Sequence, residues 1–240
     1  MTSPPVGPDM IALGLIWYVA FLFSTTLHES AHAWTAMRLG DPTAYHGGQV
    51  TLNPLPHLRR EPFGLILVPL VTYVLSGWMM GWASAPYDPL WAARHPKRAA
   101  WMSLAGPGAN LALVLIAGLA IRVGMWMEVF TPPDSITFSR VVEPLAVGGP
   151  AGAVATLLSI LFTLNLILFA FNLLPLPPLD GSTALPLVIG DRAAERYLKF
   201  VRQPAFQMVG LLLAWRIFNP IFSPIHTLAL NLLYPGLGYH

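Results

Sequence analysis

The run His28-Glu29-Ser30-Ala31-His32 sets two imidazoles four residues apart, with a carboxylate directly after the first. On a helix this spacing puts both histidines on one face, with Cβ atoms roughly 5–6 Å apart, so both rings can reach one Zn²⁺. Glu29 then lies beside the metal. Zinc lowers the pKa of a bound water to about 7, and a neighbouring carboxylate can take its proton and later deliver it to a leaving amine. The implied chemistry is metal-assisted hydrolysis of a peptide bond, with one Zn²⁺ per chain as cofactor. The plainer alternative has His28 and His32 only hydrogen-bonding to neighbouring helices.

A hydrolytic zinc needs a third protein ligand and an open fourth position. The chain has no cysteine, so thiolate ligands and a cysteine nucleophile are both excluded. Asp180 sits in a turn bounded by Pro177, Pro178 and Gly181. There a broken helix end can project its carboxylate toward a partner helix, or Asp180 can simply stop a helix at the membrane surface. His46, His57, His95, His226 and Asp191 are the other candidates, each in a loop or interfacial setting with no motif around it. Asp180 is the preferred ligand.

The elements that must position these residues are apolar. Of the 240 residues, 55% are hydrophobic and 10% charged, which argues against a water-soluble domain. Long apolar blocks run from Met10 to Thr26, Phe63 to Ala83, Trp101 to Ile121, Ala151 to Leu174 and Phe206 to Leu233, the last broken by Pro220 and Pro224. Blocks of about 20 residues match the hydrocarbon core of a bilayer. The expected fold is an all-α polytopic membrane protein, a bundle of about four to six membrane segments. Gly47-Gly48 followed by Gln49-Val50-Thr51-Leu52 alternates as a strand or hairpin does, which adds a small membrane-associated β element after the first span. Residues 122–150 read as a polar loop. Arg192, Arg196, Lys199 and Arg202 among apolar neighbours suit an interfacial amphipathic helix. The formal charge of +2 gives no support for nucleic-acid binding.

Three blocks, HESAH at 28–32, SLAGPGAN at 103–110 and FNLLPLPPLDG at 171–181, together resemble the site-2 protease family of intramembrane zinc metalloproteases. The resemblance covers roughly residues 10–185. It implies His28, His32 and Asp180 as zinc ligands and Glu29 as general acid/base. It also implies Asn110 and Asn172 as polar residues lining the site. By the same likeness the segment from Gly47 to Leu52, with Gly48 and Val50, is expected to act as a template that pairs with an extended substrate backbone. Many relatives carry a second glycine where this chain has Ser182 after Gly181. No insertion between the motif-bearing spans could hold a PDZ domain or CBS modules, so a minimal member is expected. Residues 1–240 then form one transmembrane metalloprotease domain, with the motifs in 10–185 and amphipathic and C-terminal membrane segments in 186–240.

Topology constrains the same residues. HESAH and Asp180 each lie near the C-terminal end of a span, so an even number of crossings must separate them if they share a metal. Spans 101–121 and 151–174 supply two, so 63–83 must either fold back within the leaflet or form a hairpin; Pro69, Gly77 and Gly81 favour re-entry. An outside N-terminus then puts Arg38, Arg59, Arg60, Arg94, Lys97 and Arg98, together with Arg192, Arg196, Lys199 and Arg202, on the cytoplasmic side with the site, and only Arg122 and Arg140 in the opposite loop. The leading expectation is an intramembrane zinc endopeptidase acting on a transmembrane protein substrate in the lipid bilayer. A membrane metal-ion transporter and a catalytically silent membrane adaptor are the alternatives, and no feature sets an oligomeric state.

Overall fold

The computed structural model describes residues 7–146, 149–201 and 203–239. Gly148 and Arg202 lie outside the described residues, as does the side chain of Arg192.

Helix α1 (Pro8–Arg38) is followed by the short helices α2 (Thr43–His46) and α3 (Pro54–Arg60). A π-helical turn (Phe63–Leu67) leads into α4 (Val68–Ser76), and α5 (Pro89–Arg94) precedes the long α6 (Pro96–Trp126). Strands β1 (Phe130–Thr131) and β2 (Glu143–Pro144) pair antiparallel before α7 (Pro150–Asn172). The chain ends with α8 (Asp180–Ala184), a 3₁₀ turn (Leu185–Leu187), α9 (Asp191–Val201) and α10 (Pro204–Leu233). Proline opens α1, α3, α5, α6, α7 and α10, where its fixed φ suits a first turn and its missing N–H costs nothing.

Helices α1, α6, α7 and α10 are long and apolar enough to cross a membrane. At about 1.5 Å per residue, the 31 residues of α1 span more than the ~30 Å hydrocarbon core. Despite Pro220 and Pro224, α10 is one continuous helix.

Residues 63–83 do fold back. The helical arm, Phe63–Ser76, is too short to cross. It stops at Gly77, whose φ of 78° is left-handed and whose N–H donates to the Tyr73 carbonyl. The chain then returns extended: Met80 N–H donates to the Thr72 hydroxyl (3.0 Å) and Trp82 N–H to the Gly64 carbonyl (3.2 Å). At the base, the Ser84 hydroxyl donates to Glu61 (2.6 Å) and Arg60 to the Ser84 carbonyl (3.1 Å). Both ends of the segment therefore lie at one level. A β-carbon on Gly81 would overlap the Gly64 carbonyl, so the two arms touch only because both residues are glycine.

The β element is not where the alternation of residues 49–52 places it. Residues 47–52 form turns and bends, and the two-stranded sheet lies at 130–144, inside the loop read as polar. The Gly47, Gly48 and Gln49 N–H groups all donate back into α2. Gly48, at φ 69°, acts as the left-handed stop of that helix, and the alternation after it is coincidental. The sheet's loop is clipped to the bundle: Val141 and Val142 N–H donate to the Ser159 hydroxyl, Tyr234 donates to the Val141 carbonyl, and Trp17 donates to Ser139.

Helix α6 packs against both α1 and α7. One apolar cluster joins α6, α7 and α10 around Ile121, Phe162 and Leu230; another joins α1, the folded-back segment and α7 around Trp17, Leu65 and Ile160. Polar residues of the same three helices are fully buried as well: Ser24 on α1, Asn110 on α6, and Thr163 and Asn165 on α7.

Candidate metal centre

His28 and His32 occupy successive turns of one face of α1, Glu29 follows the first, and all three are buried. Among the described residues, they form the group of potential ligands whose atoms lie within 4.8 Å of one another. The His28 and His32 Nε2 atoms are 3.0 Å apart. Asp180, at the start of α8, brings its Oδ2 to 3.2 Å from the first and 3.4 Å from the second. Burial on its own raises the Asp180 carboxyl, but the His32 and His28 imidazoles outweigh it and hold the carboxylate below its ordinary range.

Each histidine is turned by its other nitrogen. His32 Nδ1–H donates to the Met102 carbonyl (2.7 Å), and His28 Nδ1–H donates to Asn110 Oδ1 (2.6 Å). Both Nε2 lone pairs therefore converge with a carboxylate oxygen that has no hydrogen-bond donor. Three electron-rich atoms in this arrangement require a cation or a proton between them. Tetrahedral zinc with bonds of about 2.0–2.1 Å would set its ligands about 3.3 Å apart, so the donor set and its spacing fit that ion.

Helix α6 makes room for this. A β-carbon on Gly106 would overlap both Nε2 atoms, so glycine is the residue that lets α6 pass behind the rings. Pro107 withholds an N–H from the preceding turn, and that same stretch of α6 supplies the Met102 carbonyl to His32. Asp180 is held by local bonds. Ser182 N–H and hydroxyl both donate to the Leu179 carbonyl, Thr183 donates to the Asp180 carbonyl, and Ser103 on α6 bonds Thr183. Gly181 lies so close to the Leu173 and Leu174 carbonyls that a side chain would not fit.

The cluster opens on a cavity of about 990 Å³ whose wall includes Glu29, Asn172, Asp180 and the extended residues 80–87. Asn172 faces this cavity while its amide donates to the Leu168 carbonyl (3.0 Å). Asn110 is behind His28 and fully buried, so it touches a candidate ligand and lines no open space. Gly48 and Val50 do not line the cavity; α2 and its turn hold them elsewhere, and the extended wall beside the cluster is 80–87. His57 bonds the Thr51 carbonyl and His226 stacks on Phe222, so neither joins the cluster. Asn165 and the 80–87 wall were not anticipated. A lone asparagine within an apolar span was the overlooked sign for Asn165.

The sequence profile of peptidase family M50 matches residues 16–216. The chain belongs to this family, the site-2 proteases, and is an integral membrane zinc metalloprotease. Among its relatives, the chain is 35% identical to "Putative zinc metalloprotease YwhC" of Bacillus subtilis, over 86% of this chain and 92% of that protein. It is 27% identical to "Putative zinc metalloprotease Rip2" of Mycolicibacterium smegmatis, over 88% of this chain and 71% of the relative. The Rip2 of Mycobacterium tuberculosis is 32% identical over 69% of this chain and 54% of that protein. No solved structure matches the chain.

Proposed function

We propose that the chain is an intramembrane endopeptidase, one domain over residues 1–240, which cuts a peptide bond in or near a transmembrane segment of a membrane-protein substrate. The observation that carries this reading is the convergence of His28 Nε2, His32 Nε2 and Asp180 Oδ2 beside Glu29 on the wall of one open cavity.

His28, His32 and Asp180 hold one Zn²⁺, which when bound supplies the Lewis acidity that activates water and polarises the scissile carbonyl. Glu29 takes the proton from the attacking water and passes it to the leaving nitrogen. A helical peptide bond is shielded by its own hydrogen bonds, so the substrate must unwind first. The extended residues 80–87 serve as its template. Met80 and Trp82 N–H face the helical arm, so by alternation the Gly81 and Ala83 N–H groups face the other side and can bond an unwound substrate strand.

The site faces the cytoplasm and the N-terminus lies outside. This reading is supported by basic residues at the element ends near the site: Arg98 donates to the Leu39 carbonyl just past α1, and Arg60 to the Ser84 carbonyl beside the cavity wall.

The test uses purified chain reconstituted in vesicles with a transmembrane substrate. Glu29→Gln should keep stoichiometric zinc and lose cleavage by about 10²- to 10⁴-fold. Undiminished cleavage by a zinc-loaded Glu29→Gln protein would refute the mechanism.

A further inference from the structure

Four buried polar groups run in one line from α7 to the metal centre. Asn165 on α7 donates from Nδ2 to the Leu161 carbonyl (2.8 Å) and to the Ser24 hydroxyl on α1 (2.9 Å). Its Oδ1 accepts from Asn110 Nδ2 on α6 (2.7 Å), and Asn110 Oδ1 accepts from His28 Nδ1–H (2.6 Å). Ser24, Asn110 and Asn165 have no solvent exposure.

The direction of this chain follows from its origin. A backbone carbonyl can only accept, so Asn165 must turn its NH₂ toward Leu161 and its oxygen toward Asn110. Asn110 must then answer with its NH₂, which leaves its oxygen for His28. His28 in turn must present Nδ1–H, and its Nε2 keeps a lone pair facing Asp180 and His32. His32 reaches the same state in one step, through the Met102 carbonyl.

We propose that Asn110 and Asn165 are positioning residues that set the tautomer and ring orientation of His28 for metal binding, with the Leu161 carbonyl as the fixed reference. The inference rests on the zinc reading of the site. A chain of two carboxamides takes the place of the single carboxylate or carbonyl that ordinarily orients a metal-bound histidine. It also closes a ring through α1, α6 and α7, because Ser24 and His28 sit one turn apart on the same helix.

The experiment measures zinc dissociation constants by chelator competition on the full chain in detergent, together with the visible absorption of the Co²⁺-loaded protein, which reports ligand geometry. Asn110→Leu removes the acceptor at similar volume and should weaken zinc about 10- to 100-fold and shift the cobalt bands. Asn110→Asp keeps an acceptor for His28 Nδ1–H and should restore most of the affinity. Asn165→Ala leaves Asn110 in place but free to turn, and should give a loss between the two. It also carries the test if Asn110→Leu does not fold.

A role in helix packing alone predicts the reverse order, with the apolar Asn110→Leu tolerated and the buried charge of Asn110→Asp harmful. That order, or wild-type zinc affinity and cobalt spectra in both Asn110→Leu and Asn165→Ala, would overturn the proposal. Failure of the wild-type chain to take up zinc would sink the metal-centre reading itself, which is a separate result.

Discussion

Gly106 is where the backbone of α6 meets both imidazoles of α1, and the contact leaves no room for a methyl group. Gly106→Ala should therefore push α6 away from His28 and His32. Overpacking of this kind costs about 1–3 kcal/mol in stability. The expected outcome is a folded but zinc-poor protein, checked by metal analysis after gel filtration; stoichiometric zinc would show that the rings have room to yield. Removing the metal from the wild-type protein should also lower its melting temperature. Any ligand that binds only the folded state stabilises it, by about 4 kcal/mol at a thousand times its dissociation constant. At this scale much was readable. His28 and His32 share a helix, so four-residue spacing alone puts them on one face. A lone asparagine in an apolar span marks Asn165, but its partners were not readable, because they stand 55 and 141 residues away in sequence.

At the scale of elements, α8 is a five-residue helix that carries one candidate ligand. Nothing so short is stable alone, so its position depends on the Ser103–Thr183 bond and on Gly181 nesting against the Leu173 and Leu174 carbonyls. Thr183→Val keeps the shape and removes the tie. It should weaken zinc binding several-fold while leaving the helical circular dichroism unchanged; unaltered metal affinity would show that Gly181 nesting suffices. The folded-back segment depends on two glycines. A β-carbon at Gly64 would strike the Trp82 carbonyl, so Gly64→Ala should spread the two arms and make the returning segment 77–88 readily cut by added protease. Proline and glycine made this re-entry legible from sequence. The β element was misplaced because alternation over four residues is too weak a signal against the turn chemistry of Gly47-Gly48. The real sheet, two residues per strand, carries no pattern at all.

Across the whole molecule, the absence of cysteine makes topology directly testable. Single cysteines at the exposed positions Arg59 and Arg94 flank the folded-back segment, and Leu145 lies in the loop at the opposite end. An impermeant thiol reagent applied to intact cells should label Leu145→Cys and spare both Arg59→Cys and Arg94→Cys, which label only after lysis. Labelling of Arg59→Cys and Arg94→Cys from opposite sides would mean that residues 63–83 cross the membrane. Sequence by itself determined the apolar blocks and the metal-binding spacing on α1, and it led to the expectation that an even number of crossings separates HESAH from Asp180. These follow from local periodicity and from the fixed thickness of a bilayer. Only the tertiary structure decided which backbone lines the cavity, which glycine clears the imidazoles and which amides turn His28. Each of these depends on contacts between helices far apart in the chain, and no spacing within one segment encodes them.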